Sequence, residues 1–159
     1  MLRKNKQSNA GFTIIEVLIV LAIVGLIMLI VFLAVPRLQR NAHNTQQRND
    51  VAALLSGWTE FVNNNGGTTP VTWDSTNTEF KASGSGGNPA SIKLGYYDPA
   101  NISIVAYSSD TMQAPDEDHV GLVKGAVCNS TSTGITKGTT RSVAAYYTLE
   151  GGAKQCQAS

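Results

Sequence analysis

A single carboxylate, Glu16, stands at the start of the most apolar stretch of the chain. The next 19 residues, Val17–Val35, carry no charged and no strongly polar side chain. A charge inside a bilayer costs at least about 2.5–3.5 kcal/mol on insertion scales, although a glutamate near the membrane edge can reach towards water. A carboxylate in this position therefore requires a partner or a function.

A cut between Gly11 and Phe12 would create such a partner. The new α-amino group would lie four residues before Glu16, which is about one helical turn. Within one helix, the terminal geometry would strain a pair of this ammonium and this carboxylate. Between neighbouring helices the two groups would neutralise each other and fix the axial register.

The apolar run is long enough to cross a membrane. At about 1.5 Å per residue it spans roughly 28 Å, close to the thickness of the hydrocarbon core. Two simpler interpretations compete. A cleaved secretory signal has a shorter apolar core and a small-residue cleavage site, whereas Pro36-Arg37-Leu38 follows this run. A signal anchor explains the hydrophobicity and the length but not Glu16.

The stretch Gly11-Phe12-Thr13-Ile14-Ile15-Glu16 resembles the N-terminus of type IV prepilins. A short basic leader precedes it, and the recognisable match extends to Leu38. The resemblance implies that a prepilin peptidase in the membrane cuts between Gly11 and Phe12 and then methylates Phe12. It further implies that Glu16 is needed for assembly and that the helices form the core of an extracellular filament.

Two residues weaken the predicted helix. Gly25 lowers helix propensity by about 1 kcal/mol relative to alanine, and Pro36 removes a backbone donor and disfavours helical geometry at Val35. The helix is therefore expected to kink or end where it leaves the bilayer. The resemblance offers another interpretation, a locally unwound segment between Gly25 and Pro36, although this proline lies about one turn later than in the common pattern.

A second helical stretch is predicted from Arg37 to about Asn63. One buried stripe follows the helical spacing, and Arg48, Asp50 and Glu60 fall outside it. The stripe consists of Val51, Leu54, Leu55, Trp58, Phe61 and Val62. Asn and Gly residues in the following segment predict the helix end.

The rest of the chain predicts strands without further helices, and the predicted fold class is therefore α+β. A long N-terminal helix would pack its second half on an antiparallel sheet, as in pilins. The strand candidates are rich in β-branched and aromatic residues. They are Ile92–Tyr97, Ile102–Tyr107, Val120–Val127 and Ser142–Leu149, with a short strand at Val71–Trp73 and a hairpin turn at Tyr97–Asn101.

The predicted organisation has five parts. A cleaved leader is followed by a membrane or filament-core helix, an amphipathic helix, a loop rich in Ser, Thr, Gly and Asn, and a sheet domain with a C-terminal disulfide loop. The bounds are 1–11, 12–36, 37–63, 64–91 and 92–159.

Cys128 and Cys156 are the only cysteines. They could be free thiols, metal ligands or a disulfide. No C-x-x-C motif and no nearby histidine accompany them, which argues against zinc. We expect a disulfide, and the resemblance to pilins, which often have a disulfide-bounded C-terminal region, agrees with it.

Little else in the sequence predicts ligand chemistry. An acidic cluster at residues 110–119 suggests Ca²⁺, but its spacing does not match an EF-hand, and a solvated loop is the simpler interpretation. Residues 50–159 hold six Lys/Arg and ten Asp/Glu, unlike the basic face of a nucleic-acid binder. Without a nucleophile, phosphate-binding or dinucleotide signature, we expect neither enzyme activity nor a metal or cofactor.

The resemblance predicts a structural subunit that is a single-pass membrane protein first and part of an extracellular pilus later. Its expected partners are other copies of itself, the prepilin peptidase, the pilus assembly machinery and membrane lipid. Its role would be adhesion, twitching motility or DNA uptake, and nucleic acid would be a partner only if the role is DNA uptake. Alternatives are a pseudopilin of a type II secretion or competence apparatus, or a membrane-anchored binding domain that never polymerises.

Overall fold

A computed structural model describes residues 11–82 and 91–159. Most of the predicted leader and the glycine-rich part of the predicted loop lie outside these residues. The described chain contains one long helix and several short strands, and it divides into two compact units between Gln39 and Arg40. This arrangement confirms the predicted α+β class.

The helix α1 (Ile14–Asn64) continues through both Gly25 and Pro36. Every residue from Gly11 to Gln39 is exposed, including the large apolar side chains. The first unit therefore offers a helix with no partner among the described residues. Local unwinding between Gly25 and Pro36 stays a prediction about an assembled state.

Helix α1 ends as the Asn and Gly residues predicted. Gly67 N donates to Val62 O (2.8 Å) and Asn65 N donates to Phe61 O (3.0 Å). Gly66 and Gly67 adopt positive φ angles of 60° and 87°, a conformation that costs glycine little. These bonds satisfy carbonyl groups that the end of a helix otherwise leaves without partners.

The second unit contains a four-stranded sheet in the order β3-β4-β7-β8. The pairs β4–β7 and β7–β8 are antiparallel, but β3 and β4 are parallel. The sheet is thus mixed and not wholly antiparallel as predicted, because a long connection, residues 107–119, returns the chain to the same end of the sheet. These strands are β3 (Ile102–Ala106), β4 (Val120–Lys124), β7 (Val143–Thr148) and β8 (Lys154–Ala158).

Two small hairpins accompany this sheet. The first pairs β1 (Thr72–Asp74) with β2 (Glu79–Lys81), and the second pairs β5 (Ala126–Cys128) with β6 (Ile135–Lys137). Gly125, with a φ of 80°, divides the predicted strand Val120–Val127 into β4 and β5. The sequence analysis did not predict β2, β6 or β8. The first two are only three residues long, and β8 has no β-branched or aromatic residue.

The predicted strand Ile92–Tyr97 is wrong, and one side chain explains why. The amides of Gly95, Tyr96 and Tyr97 donate to the carboxylate of Asp50 at 2.7–3.1 Å instead of pairing with a strand. The predicted hairpin turn after it is also wrong. Asp98 instead caps a short 3₁₀ helix, Pro99–Asn101.

The core of the second unit lies between α1 and the sheet. Val51, Leu54, Leu55, Trp58 and Phe61 are buried, as the stripe predicted, and the sixth stripe residue, Val62, is partly buried. Alternate β7 residues contribute to two apolar clusters on opposite faces of the sheet, because strand side chains point to alternate faces. Val143, Ala145 and Tyr147 join the helix-side cluster, and Ala144 and Tyr146 join the other.

The second cluster surrounds a disulfide between Cys128 and Cys156. The bond joins β5 to β8, and Cys156 N also donates to Ser132 O (2.8 Å). A sequence separation of 28 residues gives a stabilisation of about 3–4 kcal/mol in the chain-entropy treatment. The β5–β6 hairpin is therefore fastened to the edge of the main sheet.

Candidate functional site

The candidate site is the first turn of α1, where Thr13 precedes the helix and Glu16 lies inside it. Thr13 N and Thr13 Oγ1 both donate to Glu16 Oε2, at 2.8 and 2.7 Å. In return, Thr13 Oγ1 accepts a longer bond from Glu16 N (3.4 Å). This reciprocal arrangement is a capping box, which satisfies backbone amides at the start of a helix.

The surroundings of Glu16 are apolar and open. Phe12 is 90% exposed and forms, with Glu16, Val17, Val20 and Leu21, a hollow of about 500 Å³. Glu16 is the one ionisable side chain among these five. A second apolar surface that covered this hollow would enclose the carboxylate together with it.

The apolar surface continues far beyond the hollow. Large side chains between Ile14 and Leu38 are 40–83% exposed, a far larger apolar area than a soluble monomer usually leaves uncovered. By length and composition this part of α1 is able to cross a membrane, and its most apolar window has no buried residue. The site therefore combines one carboxylate with an extended apolar helix face.

The sequence of this region matches a known motif. Residues 6–32 match the prokaryotic N-terminal methylation motif. The chain carries the type IV prepilin leader signature. The match covers the leader from Lys6 onwards, the Gly11–Phe12 pair and Glu16, and it ends within the apolar helix, so it does not extend to the second unit.

This motif marks a precursor of the pilin or pseudopilin kind. It is a structural motif and not the signature of an enzyme family. Together with the apolar helix, it fits a membrane-anchored precursor. No curated protein and no solved structure matches the chain significantly.

The structure separates the other predicted site residues from Glu16 along the chain. Gly25 and Pro36 lie in the interior of α1, and the bonded Cys128 and Cys156 belong to the second unit. Beyond its two chain neighbours and the backbone of the helix itself, a Cβ atom added to Gly25 would meet no atom within 4 Å. Neither the glycine nor the proline interrupts the helix in the single chain.

The acidic cluster does not form a metal site among the described residues. No group of three or more His, Cys, Asp or Glu side chains in 11–82 and 91–159 is arranged to hold a metal ion. Glu117 Oε1 instead accepts from Gly151 N (2.9 Å) and Gly152 N (3.1 Å). Asp110 accepts from the hydroxyl group of Tyr107, and this bond raises the pKa of Tyr107.

Two functional roles escaped the sequence analysis. The cap formed by Thr13 has a recognisable signal, because Thr-Ile-Ile-Glu fits the S/T-x-x-E pattern before an apolar run. The role of Asp50 has no such signal. Asp50 was expected outside the buried stripe, yet it is only 2% exposed and binds three successive amides of a distant loop.

Proposed function

We propose that this chain is the structural subunit of an extracellular type IV pilus filament. The observation that carries the proposal is Glu16 at the start of a wholly exposed apolar helix, within the matched methylation motif. Such a helix needs lipid before assembly and other protein helices afterwards. Both needs are met if the chain inserts into the membrane as a precursor and later assembles with other copies of itself.

The proposed sequence of events begins with insertion of the apolar part of α1 into the membrane. A prepilin peptidase hydrolyses the Gly11–Phe12 peptide bond, which leaves a carboxylate on Gly11 and an amine on Phe12. The same enzyme transfers a methyl group from a sulfonium methyl donor to the neutral amine, which gives up one proton. The methylated amine then binds a proton again and is positively charged near neutral pH. The assembly machinery then moves the subunit into the filament.

In the filament, Glu16 of one subunit neutralises the Phe12 ammonium group of a neighbour. Lipid tails and protein side chains are similarly apolar, so moving the helix from lipid into the filament gains little hydrophobic free energy. Packing and this one ion pair must then decide which axial register is favoured. The second unit, whose core is complete, forms the outer surface of the filament in this proposal.

The test compares wild type with Glu16→Ala in a bacterium that has a prepilin peptidase and an assembly machinery. We expect Glu16→Ala to be cut normally, because the Gly11–Phe12 bond is unchanged, and to yield few filaments. Glu16→Asp is the matched control, since it keeps the charge on a shorter side chain and should retain part of the yield. A normal filament yield from Glu16→Ala would refute the pairing role.

Mass spectrometry of protein sheared from cell surfaces tests the proposed processing itself. A methylated Phe12 at the N-terminus supports cleavage and release into a surface filament. An intact leader on protein that stays in the membrane would instead identify an anchored binding domain. Filament length separates the two motif-bearing alternatives, because a pseudopilin of a secretion or competence apparatus builds only a short assembly.

A further inference from the structure

We propose that Arg37 and Arg40 form a clamp for the phosphate group of an anionic phospholipid, in the membrane leaflet that faces away from the cytoplasm. This inference rests on the proposed function in one respect, because it takes the end of the apolar run as the place where the precursor leaves the bilayer. It adds a lipid partner of defined headgroup chemistry, which the chain binds before any assembly takes place.

The two arginines are neighbours on the surface of α1. They are three residues apart in a continuous helix, and side chains at this spacing lie side by side. Both residues are exposed. Like charges so close together on a helix repel each other, and one anion held between the two guanidinium groups removes this repulsion.

Neither arginine has an ion pair within the described part of its own chain. The ion pairs among residues 11–82 and 91–159 join other side chains, namely His43 with Glu150 and Lys81 with Asp74 and Glu79. The rest of the chain, residues 1–10 and 83–90, contains no Asp or Glu. Both guanidinium groups are therefore available to an acceptor outside the chain.

The distance from the apolar run selects the lipid headgroup as this acceptor. The run ends at Val35, and at about 1.5 Å per residue Arg37 and Arg40 lie about 3 and 7.5 Å beyond it along α1. The headgroup region adds roughly 5–7 Å on each side of the hydrocarbon core. Arg48, the next arginine, lies about 20 Å beyond the run and thus well outside this region.

The chemistry of the two side chains fits a phosphate group. A guanidinium group presents its donors in a planar fork that binds two phosphate oxygens at once, and it is always charged. Attraction to anionic lipids falls off within a Debye length, which is about 8 Å at physiological salt. This range includes Arg37 and Arg40 and excludes Arg48.

Positive charges on this side of the membrane also need a partner for the sake of orientation. Three basic residues precede the apolar run in the leader, and three arginines follow it. Since positive flanks favour the cytoplasmic side, the arginines oppose the orientation that the proposed function requires. Binding to a lipid phosphate offsets this effect and ties the precursor to the membrane until assembly replaces lipid by protein.

Native mass spectrometry of the full chain measures the lipid preference directly. The protein is released from nanodiscs that contain equal amounts of phosphatidylglycerol and phosphatidylcholine, and the lipids that stay bound are identified. Both lipids carry a phosphate group, but only phosphatidylglycerol has a net negative charge. We expect wild type to retain mainly phosphatidylglycerol and Arg37→Gln/Arg40→Gln to prefer it about thirtyfold less. An equal preference in both proteins would overturn the proposal.

Two matched variants separate the clamp from a general effect of charge or size. Arg48→Gln removes one positive charge further along α1 and should keep the wild-type preference. Arg37→Lys/Arg40→Lys keeps both charges but lacks the fork, so its preference should lie between those of wild type and the glutamine variant. A large loss from Arg48→Gln, or a lysine variant no better than the glutamine variant, would contradict a clamp at these two positions.

The same experiment decides between lipid and a neighbouring chain as the partner of the arginines. If they served only carboxylates of another subunit in the filament, the single chain would show no preference between the two lipids, and the proposal would be wrong. Failure of the proposed function looks different. Wild type would then stay uncut or remain in the membrane of living cells, whereas the lipid measurement requires neither cleavage nor assembly.

Discussion

Residues 14–39 and residues 40–64 belong to the same helix, yet they obtain their partners in opposite ways. Between Val17 and Val35 the first stretch is apolar on all sides, and it is exposed throughout. The second buries one stripe, including Leu54 and Trp58, against the sheet of its own chain. An amphipathic helix finds its core within the chain, whereas an all-apolar helix depends on lipid or on other chains.

A single substitution is therefore expected to change different properties in the two units. In the second unit a change of packing alters the stability of the chain itself. In the first unit the same change has few neighbouring atoms to disturb. It is expected to alter membrane insertion or assembly with other chains instead. Four predictions follow from this contrast, from the largest expected effect to the smallest, and two of them compare the same substitution in both units.

The largest effect is expected from a matched pair of leucines. Leu54 is 0% exposed and Leu26 is 62% exposed. Leu54→Ala should lower the free energy of unfolding of the second unit by about 4 kcal/mol through lost burial and a cavity. Leu26→Ala should change it by less than about 0.5 kcal/mol. Urea denaturation in detergent, followed by the fluorescence of Trp58 and Trp73, measures both, and equal effects would remove the contrast.

Asp50→Asn is expected to lower the free energy of unfolding of the second unit by about 3 kcal/mol. The change leaves a neutral amide group facing the N–H groups of Gly95, Tyr96 and Tyr97, and buried donors without a good acceptor are costly. Asn49→Ala, one position earlier and exposed, is the control and should be nearly neutral. A neutral Asp50→Asn would show that this loop does not need the carboxylate.

Two glycines of α1 provide a third comparison. A Cβ atom on Gly57 would lie 2.4 Å from Ile92 Cδ1, whereas one on Gly25 would meet nothing within 4 Å. Gly57→Ala should therefore destabilise the second unit by about 2 kcal/mol, and Gly25→Ala should leave it unchanged. Adding Ile92→Val, which removes Cδ1, should restore part of the loss. If Ile92→Val did not restore any stability to Gly57→Ala, the contact with Ile92 would not be the cause of the destabilisation.

The smallest effect concerns alkaline pH. Burial raises the pKa of Tyr97 and of Tyr147. In the unfolded chain the pKa of a tyrosine is about 10, and in the folded chain both values are higher. The two tyrosines therefore contribute fully to stability below pH 10, and this contribution is lost as the pH rises further. Between pH 10 and 11 we expect the free energy of unfolding to fall by about 1 kcal/mol less in Tyr97→Phe than in wild type. Urea denaturation at each pH measures this difference. An unchanged pH dependence would contradict the burial effect.

Much of the fold was predictable because its signals are local. The spacing of Val51, Leu54 and Trp58 marks the buried stripe, and the Gly residues after Asn65 mark the helix end. The strands β3 and β7 were predicted for the same reason, since their residues favour extended backbone. The edge strand β8 was missed because its sequence, Lys-Gln-Cys-Gln-Ala, becomes a strand only through pairing with β7.

The features of the first unit that matter for function could be identified from consecutive residues alone. Its Gly11–Phe12 pair, its carboxylate and its apolar run are chemical facts of consecutive residues, and the motif match needs nothing more. In the second unit, the contact by which Asp50 prevents a predicted strand and the parallel pair of the sheet are visible only in the folded chain. Such features depend on groups that are distant in sequence, and the free energy of a buried charge or of a strand pair is set by the neighbours that folding supplies.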